Sequence, residues 1–181
     1  MTGATAESGT AGSSRKLTFV LGGARSGKSF HAETLITANP SPWTYIATAQ
    51  AYDDEMRQRI TTHRSRRGEG WVTIDAPIDL AGAIEALPDH EPALIDCLTL
   101  WLTNHMLAEH DIEAECRRLA DILSRPRGPW FVVSNEVGLG IVPDNALARR
   151  FRDAAGRLNQ QVAAVADSVL MMVAGLPLKV K

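Results

Sequence analysis

The chain has 181 residues, 45% of them hydrophobic and 22% charged, with a formal net charge of −2 and a pI near 6.2. That is the size of one globular domain with a full core, and the charge balance lacks the basic footprint of a nucleic-acid binder, so DNA and RNA are not expected partners. No apolar stretch approaches the roughly 20 residues that span a bilayer, and the first fifteen residues lack the charged start and apolar middle of a signal peptide, so no membrane span and a cytoplasmic location are expected.

Residues Met1 to Ser14 are largely Gly, Ser, Thr and Ala, too poor in large apolar groups to offset the entropy of ordering. Residues 1–15 are therefore expected to be a flexible tail and 16–181 a single domain. Leu17 to Leu21 reads as a buried strand. It runs into Gly22, Gly23, Ala24, Arg25, Ser26, Gly27, Lys28 and Ser29, the pattern G-x-x-x-x-G-K-S. Small residues there let backbone N–H groups converge on phosphate oxygens at a helix N-terminus. Lys28 is placed to reach the β/γ-phosphates of a nucleotide and Ser29 to ligate Mg²⁺.

A helix is expected over Phe30 to Ala38, a strand over Trp43 to Ala47, and a helix over Asp53 to His63 with acidic residues in its first turn. A basic, glycine-containing loop, Arg64 to Gly70, follows, then a strand at Trp71 to Ile74 and a helix from Asp79 to Leu87. Ala93 to Cys97 reads as a short buried strand, followed by helices through Leu107 and over Ile112 to Leu123. Trp130 to Ser134 is the plainest buried strand, and Ala146 to Ala166 a long amphipathic helix. Val169 to Val173 and Leu178 to Val180 form a terminal hairpin around Gly175. Strands alternating with helices predict an α/β fold with a mostly parallel sheet and helices on both faces.

A phosphate-binding loop needs an acid at the end of a neighbouring strand to hold the Mg²⁺ shell, and Asp96 fits. The alternative is that Asp96 caps the helix that follows, a role compatible with the first. Glu136 ends another strand, beyond which ligands bind in open α/β sheets; a solvated loop glutamate is the alternative. His63, with Arg59 one turn earlier, reads on its own as a surface residue favoured by the helix dipole. His31, His90, His105 and His110 carry no functional signal. Trp43, Trp71, Trp101 and Trp130 border apolar runs and suit the core. Cys97 and Cys116 lack metal-ligand spacing and suit reduced structural thiols.

The segments GGARSGKS, YIATAQAYDDEMRQRITTHR and SNEVGLGIVPDNALARRFRDAAGRLNQ, with the ending GLPLKVK, together resemble one family. It is that of the bifunctional adenosylcobinamide kinase and adenosylcobinamide-phosphate guanylyltransferase, and the resemblance runs from about Lys16 to Lys181. It implies a three-layer P-loop NTPase fold, recombinase-ATPase-like, in a homotrimer. The implied activity is phosphorylation of adenosylcobinamide, a corrinoid, with ATP or GTP, then transfer of GMP from GTP to that phosphate. His63 alone matches the position of the family's guanylylated histidine, and the resemblance makes Asp53, Asp54 and Glu55 candidates for substrate or metal contacts. Two departures from the family pattern are visible: an Asp, Asp96, at the metal-strand position where the resemblance implies Glu, and an N-terminal tail with no counterpart in the family.

Overall fold

A computed structural model of the chain describes residues 15–51, 54–65 and 67–181. Among them the elements run β1 (Lys16–Gly22), α1 (Lys28–Thr37), β2 (Trp43–Ala47), α2 (Asp54–Ser65), β3 (Trp71–Asp75), α3 (Leu80–Glu85), β4 (Ala93–Asp96), α4 (Leu98–Leu107), α5 (Ile112–Leu123), β5 (Pro129–Asn135), α6 (Ala146–Val165), β6 (Ser168–Val173) and β7 (Leu176–Lys179). The expected tail lies, except for Arg15, outside the described residues, as does Asp53.

The strands form one sheet in the order β3-β2-β4-β5-β1-β6-β7. Every pairing is parallel except β6 with β7, where a tight turn at Ala174 and Gly175 reverses the chain. Side chains alternate between the faces, as the period of two requires. Leu17, Phe19, Ala93, Ile95, Trp130 and Val132 join α3, α4, α5 and α6 in one core. Val20, Leu94, Phe131 and Val133 join Ala32 and Ile36 of α1 in the other. Burial on both faces explains why these strands read as continuous apolar runs. The expected three-layer P-loop architecture is therefore the one the chain adopts.

Two expectations are corrected. The strand ending in Asp96 is not the neighbour of the P-loop strand: β5 lies between them, pairing Val20 with Val133 and Val133 with Asp96. Nor does Asp96 cap α4. The cap position is Cys97, with no side-chain cap bond, so the Asp96 carboxylate is left for the cavity beyond the strand ends. By contrast Asp79, Asp111 and Asn145 cap α3, α5 and α6 by accepting backbone N–H groups. Helix α2 continues two residues past His63, because nothing before Gly68 interrupts it.

Candidate functional site

Parallel strands deliver their carboxyl ends to one edge of the sheet, where the loops that follow β1, β2, β4 and β5 converge. A cavity of about 800 Å³ opens there, lined by P-loop residues Ala24, Arg25, Lys28 and Ser29 and by Tyr45, Asp96, Asn135 and Glu136. Arg57, Thr61 and Arg64 of α2, together with Arg67, complete its wall.

The loop after β1 is shaped by glycine. Gly27 sits at φ 91°, where an L side chain is strained, and its Cβ would come within 3.3 Å of the Gly175 backbone. The turn at Gly175 braces the loop, its N–H donating to the Ser26 carbonyl at 3.0 Å. Lys28 is buried to 9% exposure and donates from Nζ to the Gly23 carbonyl at 3.1 Å, so its charge is held along the loop. Ser26 Oγ is buried without a hydrogen-bond partner.

At the end of β4, Asp96 Oδ2 accepts the Tyr45 hydroxyl at 3.1 Å. Burial first, and then the nearby Asp96 charge, push the Tyr45 pKa well above its usual value of 10, so the phenol stays a donor. The Arg67 guanidinium lies over the Tyr45 ring, 3.6 Å from its centroid. Arg64 holds Asp75 through one nitrogen at 2.8 and 2.9 Å.

Below the cavity the ends of β2 and β4 are cross-tied. Thr48 Oγ1 accepts the Cys97 N–H and donates to the Cys97 carbonyl, and buried Asn104 donates to the Thr48 and Pro77 carbonyls. Cys97 is pushed up to about 11 by burial and by Asp96, which keeps the thiol protonated and chemically inert at neutral pH.

The structure thus brings the expected residues Ala24, Arg25, Lys28, Ser29, Asp96 and Glu136 to one cavity. Asp54 does not join them: it is exposed and paired with Arg57 at 2.7 Å. Glu55 and His63 lie on α2, but their side chains, like all of Asp53, fall outside the described residues. Tyr45, Arg57, Thr61, Asp75 and Asn135 were not expected at the site. Arg64 and Arg67 were visible only as part of a basic loop. Tyr45 carries no local signal at all, since it reads as one apolar position in a strand.

A glycine-shaped loop between strand and helix, a buried lysine aligned along it and an acid across the strand ends define a P-loop nucleotide-binding protein. Solved structures with the same fold include the assembled type III secretion ATPase EscN from enteropathogenic E. coli, at TM-score 0.54 and 10% identity, covering 88% of this chain and 43% of that one. Another is the flagellar accessory protein FlaH from Methanocaldococcus jannaschii, at TM-score 0.50 and 12% identity, covering 92% of this chain and 78% of that one.

Sequence comparison is more specific. The family described as cobinamide kinase / cobinamide phosphate guanyltransferase matches residues 18–180. The bifunctional adenosylcobalamin biosynthesis protein CobP of Pseudomonas aeruginosa is 44% identical over 165 residues, spanning 90% of this chain and 95% of that protein. The CobU proteins of Escherichia coli and Salmonella typhimurium are 43% and 41% identical, each spanning 90% of this chain and 98% of the relative. The chain belongs to the cobinamide kinase / cobinamide phosphate guanyltransferase family.

Proposed function

We propose that this chain phosphorylates the aminopropanol hydroxyl of adenosylcobinamide with ATP or GTP and then transfers GMP from GTP to the new phosphate. The products of the second step are adenosylcobinamide-GDP and pyrophosphate. The observation that carries this reading is the single cavity walled by the P-loop on one segment and by α2 on another. One nucleotide site can then serve a transfer to a hydroxyl and a transfer through a nucleophile on α2.

In the first step the substrate hydroxyl loses its proton and attacks the γ-phosphorus. An O–P bond forms as the bond from that phosphorus to the β–γ bridging oxygen breaks, and the nucleoside diphosphate leaves. The P-loop N–H groups and Lys28 offset the charge that develops on the phosphates. In the second, a nitrogen of the His63 imidazole attacks the α-phosphorus of GTP. An N–P bond forms as the P–O bond to the β-phosphate breaks, and pyrophosphate leaves. A phosphate oxygen of the acceptor then attacks the same phosphorus and breaks the N–P bond, which restores the imidazole.

Position 63 occupies the last two turns of α2, between cavity-lining Thr61 and Arg64. Ser29, Asp96 and phosphate oxygens suit Mg²⁺, which takes few protein ligands and keeps water; among the described residues no three His, Cys, Asp or Glu side chains gather into a protein cage. When bound, the ion would neutralise phosphate charge. Glu136 is read as a contact for substrate, and Asp53 and Glu55 keep that role on family grounds.

Residues 16–181 act as one domain in the cytoplasm; among the described residues no helix is long and apolar enough to cross a membrane. Homotrimer assembly is supported by Leu139 and Ile141, 83% and 98% exposed in the loop after β5, and by the apolar side chains of edge strand β7. Light scattering should give three times the 19.6 kDa chain mass; a fully active monomer would remove the trimer.

GTP labelled at the α-phosphate tests the transfer. Wild-type protein should take up an acid-labile, base-stable label and release it to adenosylcobinamide phosphate, whereas γ-labelled GTP should leave none. His63→Ala should lose the label while retaining much of the kinase step. Persistent labelling of that variant would show that another residue is the nucleophile.

A further inference from the structure

The proposed reaction asks for a proton acceptor in only one of its two transfers. When adenosylcobinamide is phosphorylated the nucleophile is a hydroxyl, which must shed a proton as it attacks. In the guanylyl transfer the nucleophiles are an imidazole lone pair and a phosphate oxygen, and a phosphomonoester is already anionic at neutral pH. A base that serves the first transfer is therefore idle in the second.

Among the described residues three carboxylates line the cavity, those of Asp75, Asp96 and Glu136. Both oxygens of Asp75 are taken up by Arg64. Asp96 is committed to the Tyr45 hydroxyl through Oδ2, and it ends β4, one strand farther from the P-loop than β5. Glu136 follows β5 directly, and its N–H donates to the carbonyl of Gly22, the first P-loop residue, at 3.1 Å. The other end of the same peptide unit, the Asn135 carbonyl, accepts Nδ2 of Asn159, which is 6% exposed on α6. The peptide that carries Glu136 is thus pinned between the P-loop and α6. Its carboxylate accepts the Gly138 N–H through Oε1 at 2.5 Å, whereas Oε2 makes no hydrogen bond among the described residues and keeps accessible surface.

We propose that Glu136 is the general base of the phosphorylation step, its Oε2 taking the proton of the attacking hydroxyl. This role rests on the function proposed above and gives the substrate contact of Glu136 a chemical purpose. As the hydroxyl oxygen bonds to the γ-phosphorus and the β–γ bridging oxygen leaves with the nucleoside diphosphate, the proton passes to Oε2 and from there to water. Gly138 is a positioning residue. A Cβ at Gly138 would stand 2.9 Å from Glu136 Oε1, so the carboxylate would have to move.

The test compares wild type with Glu136→Gln, Glu136→Asp, Gly138→Ala and Lys28→Ala, each checked for folding by its melting temperature. Three rates are measured: phosphorylation of adenosylcobinamide, acceptor-free uptake of label from α-labelled GTP, and conversion of ready-made adenosylcobinamide phosphate to adenosylcobinamide-GDP. Glu136→Gln keeps the shape and removes the basic oxygen. It should lower kcat for phosphorylation at least about 100-fold, with a far smaller change in KM for adenosylcobinamide and a far smaller loss of label uptake. Supplying adenosylcobinamide phosphate should bypass the defect. Glu136→Asp shortens the reach and Gly138→Ala displaces the acid, so both should fall between Glu136→Gln and wild type in phosphorylation.

Phosphorylation within threefold of wild type in Glu136→Gln overturns the base. So does an equal loss of all three rates, which would make Glu136 a general contact of the site. Should Glu136→Gln not fold, Glu136→Asp and Gly138→Ala decide the matter by the same comparison. In each case a joint loss of phosphorylation and label uptake in Lys28→Ala keeps the cavity as the nucleotide site. A folded Lys28→Ala with wild-type rates removes the cavity from the chemistry, and the role of Glu136 with it.

Discussion

The two faces of the sheet are built differently. On one, α3, α4, α5 and α6 cover a broad core that includes the fully buried Leu80, Ile84, Leu98, Leu102, Leu119 and Val162. On the other, the smaller core gathers around Ala32 and Ile36 of α1, with Trp43, Trp71 and Leu100 at its margin. Tyr45 belongs to that second core and to the cavity wall at once. The crowded face therefore carries most of the stability. The sparser one trades burial for an opening lined by charge, where Lys28 is packed along the P-loop and Arg67 is packed against an aromatic ring instead of into solvent.

A paired substitution breaks the comparison most sharply. Lys28→Ala on the sparse face removes a preorganised cation from the phosphates and should cost on the order of 10²-fold or more in both activities, with little change in melting temperature. Leu119→Ala on the crowded face, where the side chain is 0% exposed, should cost about 2–5 kcal/mol of folding stability by opening a cavity, with kcat of the folded fraction unchanged. Rates and denaturant unfolding of both variants decide it. A large stability loss for Lys28→Ala, or a rate loss for folded Leu119→Ala, would erase the division of labour.

A smaller effect sharpens the picture at the rim of the crowded face. His105 is 2% exposed, packs against Trp101 with the rings tilted by 55° and their centroids 4.5 Å apart, and meets the Ile78 carbonyl through Nε2 at 3.1 Å. If Nε2 donates there, Nδ1 accepts, and His110 Nδ1, 3.0 Å away, is the donor of that pair. Burial lowers the His105 pKa below its ordinary 6.5, against smaller opposing effects of the Ile78 hydrogen bond and Glu115. The unfolded chain thus binds this proton at a higher pH than the folded one. Stability from the neutral ring is complete above about pH 6.5 and is lost as pH falls from there towards the folded-state pKa, with a slope of at most about 1.4 kcal/mol per pH unit. Melting temperatures at pH 7.5 and 5.5 should differ less in His105→Asn than in wild type; an equal difference would exclude this histidine as the source.

Local chemistry was legible wherever a residue's role depends on its near neighbours. Trp43–Ala47 and Ile112–Leu123 have the bounds their patterns implied, because the side-chain periods of two and 3.6 are written within a few turns or pleats. The phosphate-binding loop was readable for the same reason: the small residues, the helix start and Lys28 lie within eight positions of one another. Asp79 and Asp111 mark their helix starts by bonding backbone two or three residues on.

What escaped the sequence was decided by pairing across long separations. Nothing near Asp96 announces that β5 will lie between it and the P-loop strand, since strand order is set by how crossovers pack on the two faces. The Tyr45 to Asp96 bond spans 51 positions and the Asn104 to Thr48 bond 56, and neither partner signals the other. Arg67 was visible as one charge in a basic loop, but its place over the Tyr45 ring was not, because the two meet only when β2 is laid into the sheet. The sequence by itself determined the elements, the phosphate loop and the family, because those are recorded in contiguous residues. Only the tertiary structure decided which side chains from distant strands meet in the cavity, because contact between them is a property of the packed sheet.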